Sequence, residues 1–165
     1  MNWYPVKPTS GGQAGRPFYR RLMASPHWVA EAKLDGWRVV WCGQRLWTRT
    51  GKPVGRRGWH LEDALAGCTR MMDGELYQGK LFVFDLPACG GWWDDRRREL
   101  CNAVRDIEGV HPMPLAQDWG EVERNEWEGL VLKFKSSRYP RGHRVGQTTP
   151  HWLKYRAAWG FKGDL

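Results

Sequence analysis

The sequence predicts an α+β fold in which strands dominate. Three observations carry this. Short runs alternate apolar and polar residues with period 2 between turn residues, two longer stretches have helical spacing, and no internal repeat or heptad pattern runs through the chain. At 165 residues there is room for one domain with a short arm. A hydrophobic content of 41% with 27% charged residues predicts a folded core rather than disorder. No apolar run approaches the roughly 18 residues of a membrane span. Met1-Asn2-Trp3-Tyr4-Pro5 has no apolar signal core, so secretion is not expected.

Taken in order, residues 1–26 are rich in Pro, Gly and Arg and read as a basic extended arm carrying Lys7, Arg16, Arg20 and Arg21, with the domain proper at 27–165. Gly11-Gly12-Gln13-Ala14-Gly15 is not a P-loop, since no Gly-Lys-Ser/Thr follows. His27–Lys33 alternates as a strand, Asp35-Gly36 turns, and Trp37, Val39 and Trp41 mark one face of a second strand. Leu46–Arg49 is a third strand, so the domain opens as an antiparallel meander. Gly58–Arg70 has helical spacing, with Trp59, Leu61, Leu65 and Cys68 as inward positions. Met71–Tyr77 and Lys80–Leu86 read as strands joined at Gln78-Gly79, and Trp92–Ile107 as a helix with Asp94 and Asp95 where the dipole favours acid. Residues 108–127 carry no decisive pattern. Gly129–Phe134 is a buried strand, a basic Pro/Gly loop follows, and His151–Arg156 is a final strand. The 12 tryptophans are expected mostly in the core, with Trp92 and Trp93 as alternative base-stacking candidates.

Charge comes in blocks. Residues 1–60 hold 11 Lys/Arg against 2 Asp/Glu, residues 61–132 hold 7 against 15, and residues 133–156 hold 7 against none. Two basic segments that meet in space would grip a polyanion; the plainer reading is a solvated basic surface. Cys42, Cys68, Cys89 and Cys101 form no CxxC pair and no zinc spacing, and free thiols in a reducing cytosol are expected. The five histidines are scattered and none is assigned a metal.

Lysines inside apolar strands are costly unless they meet an anion. Lys33 sits in Lys33-Leu34-Asp35-Gly36-Trp37-Arg38, Lys133 in Glu128-Gly129-Leu130-Val131-Leu132-Lys133, and Lys154 in Trp152-Leu153-Lys154-Tyr155-Arg156. With them stand Asp73-Gly74-Glu75, Phe82-Val83-Phe84-Asp85-Leu86 and Thr48-Arg49-Thr50-Gly51-Lys52-Pro53. In order and in kind these elements resemble motifs I, IV, V, III, IIIa and Ia of the covalent nucleotidyltransferases, the family of polynucleotide ligases and mRNA capping enzymes. The resemblance runs from Trp28 to Arg156, with 42 residues from Lys33 to Glu75 and 21 from Lys133 to Lys154.

The resemblance implies the nucleotidyltransferase (adenylation) domain of the DNA ligase type, with antiparallel sheets flanked by helices. It implies ATP and Mg2+ (or Mn2+) as cofactors, and Lys33 as the nucleophile that becomes lysyl-AMP. Lys33 must lose its proton before it attacks, and neighbouring cations favour that. Lys133 and Lys154 are implied at the α-phosphate, with Arg156 in the place of a second motif V lysine. Glu75 and Arg38 are implied at the ribose, Glu31 at the base, and Glu128 with Glu75 at the metal. Phe84 is implied as an adenine stack, or is simply core. Arg49 is the candidate for the 5′-phosphate at a strand break, or one more backbone contact. Asp35, Lys52, Arg20, Arg21, Arg138, Arg141 and Arg144 complete the expected nucleic-acid surface, and one of Arg96, Arg97 and Arg98 is a candidate anchor for the loop after motif IIIa. The expected partner is nicked duplex DNA and the expected enzyme a minimal, monomeric, phage-like ATP-dependent DNA ligase of repair or replication, in a phage or bacterial host cytosol. An RNA ligase or a non-catalytic module that binds nucleic-acid ends is the alternative. Only nine residues follow Arg156, so an OB-fold domain is expected to be absent, its work done by the arm or by a protein partner.

Overall fold

The turn at Leu34-Asp35-Gly36 carries the chain from one five-stranded sheet to another, and the cleft between the two sheets is the organising feature of this computed structural model. The structure describes residues 4–11 and 16–157. In chain order the elements are β1 (Tyr4–Pro5), β2 (Lys7–Ser10), α1 (Arg16–Met23), β3 (Trp28–Lys33), β4 (Trp37–Trp41), β5 (Leu46–Thr48), a 3-10 turn (Gly55–Gly58) and α2 (Trp59–Ala64). Then come β6 (Met72–Tyr77), β7 (Lys80–Asp85), α3 (Trp93–Val104), β8 (Val110–Pro112), β9 (Leu115–Ala116), α4 (Gly120–Arg124), β10 (Gly129–Phe134), β11 (Arg141–Gly142) and β12 (Thr148–Arg156).

The first sheet runs β2-β12-β10-β3-β9 and the second β5-β4-β6-β7-β8, while β1 pairs with β11. Pairing is antiparallel except for β2 with β12 and β7 with β8. The second sheet packs under α2 and α3 through Val39, Trp41, Leu61, Leu65, Met72, Val83, Leu100 and Val104. The first packs under α1 and α4 through Leu22, Ala30, Val122, Leu130 and Leu132. A junction cluster of Ala32, Leu34 and Met113 joins them. All four cysteines are free, and no helix among the described residues is long and apolar enough to cross a membrane.

Four expectations are corrected. The N-terminal segment is not featureless: β2 is a parallel edge strand on β12, where Pro8 is tolerated because an edge strand need not donate on both sides. Likewise, α1 buries Leu22 against the first sheet. The helix expected at Gly58–Arg70 is a 3-10 turn followed by the shorter α2, and Trp59 is 54% exposed. Trp37 is 49% exposed, because it lies at the start of β4 beyond the helix-covered core. Trp93 is buried and donates through Nε1 to Glu31 at 3.3 Å, which leaves only Trp92 of that pair on the surface.

Candidate active site

Successive strand residues point to opposite faces. In the first sheet this sends Ala30, Leu130, Leu132 and Leu153 to the helix side and Glu31, Lys33, Lys133, Trp152, Lys154 and Arg156 to the cleft. Register then makes rows: Lys33, Gly129 and Arg156 are neighbours across three strands, as are Glu31, Val131 and Lys154. Gly129 has φ of 152°, and a Cβ there would stand 2.0 Å from the Tyr155 backbone oxygen, so only glycine fits the row. Glu128, beside it, spans the row: its carboxylate accepts from Lys33 Nζ and, at 2.7 Å, pairs with Arg156 Nε. Lys154 is half-buried, and burial first, then Arg156, Lys33 and Lys7, lower its pKa. The cleft therefore holds four cations on one wall, and Lys7 arrives from β2.

The opposite wall comes from the second sheet. Arg38 pairs with Glu75 across β4 and β6. Arg38 Nε and Nη2 donate to the two oxygens of Asp73 at 3.0 and 2.6 Å, Nη1 donates to the Val6 carbonyl, and the Tyr139 hydroxyl donates to Asp73 at 2.5 Å. Burial works against the Arg38 charge, but Asp73 outweighs it and keeps the guanidinium protonated. Its carbon lies 5.1 Å from the centre of the Phe84 ring. Phe84 packs on two core clusters and also lines the cleft. Burial pushes the Glu75 carboxyl up to about 7 against the opposing pull of Lys33 and Arg38.

The three strand lysines have different fates. Lys33 and Lys154 reach the cleft, whereas Lys133 is 1% exposed and forms its floor. Its ammonium donates to the Phe84 carbonyl at 2.7 Å and pairs with Glu31 at 2.8 Å and Asp85 at 3.7 Å. Asp85 accepts two bonds from Arg96 at 2.6 and 3.1 Å, and Arg96 also donates to the Ser137 carbonyl at 2.8 Å. Burial pushes the Glu31 carboxyl up while Lys133 pulls it down. This network joins both sheets and α3 beneath the cleft. Arg96, one of the three candidate anchors for the loop after motif IIIa, also donates to the Gly91 carbonyl in that loop at 3.1 Å, whereas Asp73 and Asp85 stand in the sequence only as acids inside apolar strands and Lys7 only as one cation of the basic arm.

Glu75 and Glu128 are the carboxylates expected at a metal. Carboxylate oxygens suit Mg2+ or Mn2+, which complete their shell with water and phosphate. Among the described residues no three His, Cys, Asp or Glu stand together as a metal site. Glu75 and Glu128 line the same cleft, and two carboxylates are a donor set of the chemistry such an ion takes. Asp35 and Arg49 border the cleft, and Lys52, Arg138 and Arg144 are exposed. Arg141 donates to the Pro87 carbonyl at 2.9 Å. Arg20 and Arg21 are exposed on α1, which packs on the sheet face away from the cleft.

No protein-family model matches the chain. A DNA ligase of Haemophilus influenzae is 26% identical over an alignment of 144 residues, covering 69% of this chain and 54% of that protein. The chain thus spans about half the length of that relative. The mycobacterial DNA ligase D complexed with ATP and MES has a TM-score of 0.71 at 25% identity, over 94% of this chain and 60% of that one. The minimal Lig E DNA ligases give 0.68 at 18% identity, over 94% of this chain and 69% of that one. Two facing sheets joined by the β3–β4 turn, with Lys33 at the end of β3, have the nucleotidyltransferase fold of those ligases. Within that class, this chain is similar to the ATP-dependent DNA ligase domains.

Proposed function

We propose that this chain seals nicks in duplex DNA by the three-step chemistry of a polynucleotide ligase, with ATP as the nucleotide. The observation that carries the reading is the row at the cleft mouth: Lys33 bonded to Glu128, Arg156 on the same carboxylate, and Lys154 in the adjacent row. Facing it stand Glu75 and Phe84. A cleft of about 460 Å3 takes one nucleotide.

In the first step Lys33 Nζ gives up its proton to solvent and attacks the α-phosphorus of ATP. A P–N bond forms, the α–β P–O bond breaks and pyrophosphate leaves. Glu128 holds the amine at the mouth of the cleft, and Lys154 and Arg156 stabilise charge that grows on the phosphoryl oxygens. In the second step an oxygen of a 5′-phosphate attacks the same phosphorus and the P–N bond breaks. In the third the 3′-hydroxyl attacks the 5′-phosphorus and AMP leaves. A bound divalent metal, held by Glu128 and Glu75, would neutralise phosphate charge. Phe84 supports an adenine stack, Glu75 and Arg38 face the sugar, and Lys133 with Glu31 fixes the strands that carry Lys33 and Phe84. Arg49, at the cleft border, suits the 5′-phosphate.

Incubation with α-labelled ATP and Mg2+ is expected to label the protein, and Lys33→Ala to abolish the label. No label on protein freed of bound AMP rejects the reading. Nicked duplexes that differ only in sugar are expected to favour DNA, and equal sealing of an RNA nick rejects that preference.

A further inference from the structure

Beside the nucleotide cleft, and sharing Asp35, Gly36 and Trp37 with it, lies a second cleft of about 470 Å3. The β3–β4 turn, the β6–β7 turn and Arg57 wall it. Its rim has a set shape: Gln78 and Gly79 both take positive φ, 48° and 76°, and Gln78 Nε2 donates to the Tyr77 hydroxyl at 3.1 Å. Trp37 supplies the apolar surface and remains 49% exposed, although a tryptophan ordinarily contributes most when buried. The Arg57 guanidinium lies 4.4 Å from the centre of its ring. The same 3-10 turn carries Arg56, 5.8 Å from the ring of Trp59, which is 54% exposed. Residues 45–57 hold five Lys/Arg and no acid. Exposed indoles paired with guanidinium groups on a basic segment match the chemistry that stacks bases and holds their phosphates.

We infer that this second cleft takes one unpaired nucleobase of the DNA whose nick lies at Lys33, with Trp37 stacking on the base and Arg57 on its phosphate. The base must be unpaired, because a paired base buries its faces in the duplex and offers only its edges. Continuity through Asp35 and Gly36 places the second cleft one step from the nucleotide cleft, so a flap or frayed end at the nick reaches it. The inference rests on the nick-sealing reading.

The test compares two nicked duplexes that lack the 3′-hydroxyl, one fully paired and one with a single unpaired 2-aminopurine at the nick. Affinity is read by anisotropy and stacking by 2-aminopurine fluorescence. Wild type is expected to quench the unpaired base. Trp37→Ala should abolish quenching, weaken the unpaired duplex about tenfold or more, and leave the paired duplex within about twofold. Trp37→Phe should restore most of the quenching. Arg57→Gln should weaken the unpaired duplex while Lys33 is still adenylylated at the wild-type rate. An equal loss on both duplexes, or no quenching by wild type, overturns the inference while adenylylation leaves the underlying reading standing. A wild-type protein that neither takes label from ATP nor binds either duplex overturns both.

Discussion

Glu75 carries the pH signature of the cleft. Its carboxyl is pushed from the ordinary 4.5 to about 7, first by burial. Between those values the folded chain holds a proton that the unfolded chain has released, so this group's contribution to stability is present at low pH and is lost as pH rises from 4.5 to about 7. Urea melts of wild type should show that decline, and Glu75→Gln should flatten it. The same proton affects ligand binding: an ionised carboxylate accepts sugar hydroxyl bonds at both oxygens with charge assistance, whereas a protonated one turns one oxygen into a donor and accepts more weakly at the other, so ATP binding should strengthen through about pH 7 in wild type and not in Glu75→Gln. A calorimetric titration at pH 6 and pH 8 checks it. At this scale the sequence was readable where a side chain's role follows from its own strand. Lys33, Glu75 and Lys154 face the cleft by period 2 alone. Lys133 obeys the same period yet ends on the floor, because its acids, Glu31 and Asp85, come from strands remote in sequence.

Among the elements, β10 and the loop after it are held by contacts that tolerate little. Gly129→Ala would force a side chain into a backbone conformation it rarely adopts, against the Tyr155 oxygen at 2.0 Å. A loss of about 1–3 kcal/mol, seen as a lower urea midpoint at unchanged slope, is expected. Arg96→Met would leave Asp85 buried beside one cation fewer, which costs about 3–5 kcal/mol. That change should also lower the adenylylation rate, since Asp85 shares Lys133 with the strand that carries Lys33. The strands of the meander and the β6–β7 hairpin were legible because turn residues bound them closely. By contrast β2 and α1 were not, since Pro8 and the Gly11-Gly12 step resemble punctuation, and a parallel edge pairing with β12 has no local signal.

Over the whole molecule the charge blocks resolve into geography. The basic segments 1–60 and 133–156 supply β2, β3, β4, β5 and β12 to the cleft walls, whereas the acidic segment 61–132 supplies α3 and α4 on the outer faces and, within the cleft, β6, β7 and most of β10 with Glu75 and Glu128. DNA binding should therefore weaken steeply with salt. Arg138→Ala and Arg144→Ala, both at exposed positions, should each flatten the slope of log K against log salt by about 0.9. A salt titration of both variants checks this. Deleting residues 1–10 should do more than weaken DNA binding: it removes Val6 from the core and from Arg38, and Lys7 from the cleft. Loss of labelling from ATP together with a lower melting temperature is expected.

The pairing of β2 with β12 also orders events in time. A strand near the start of the chain is held by one that ends at Arg156, and β12 lies between it and the rest of its sheet. During synthesis, the ribosome delivers Lys33 long before Lys154 and Arg156. The nascent chain can complete the helix-covered second sheet early, but the first sheet waits on a contact between residues 140 positions apart, such as Thr9 with Thr149, a slow kind to close. Adenylylation competence should then arise abruptly, only when β12 emerges.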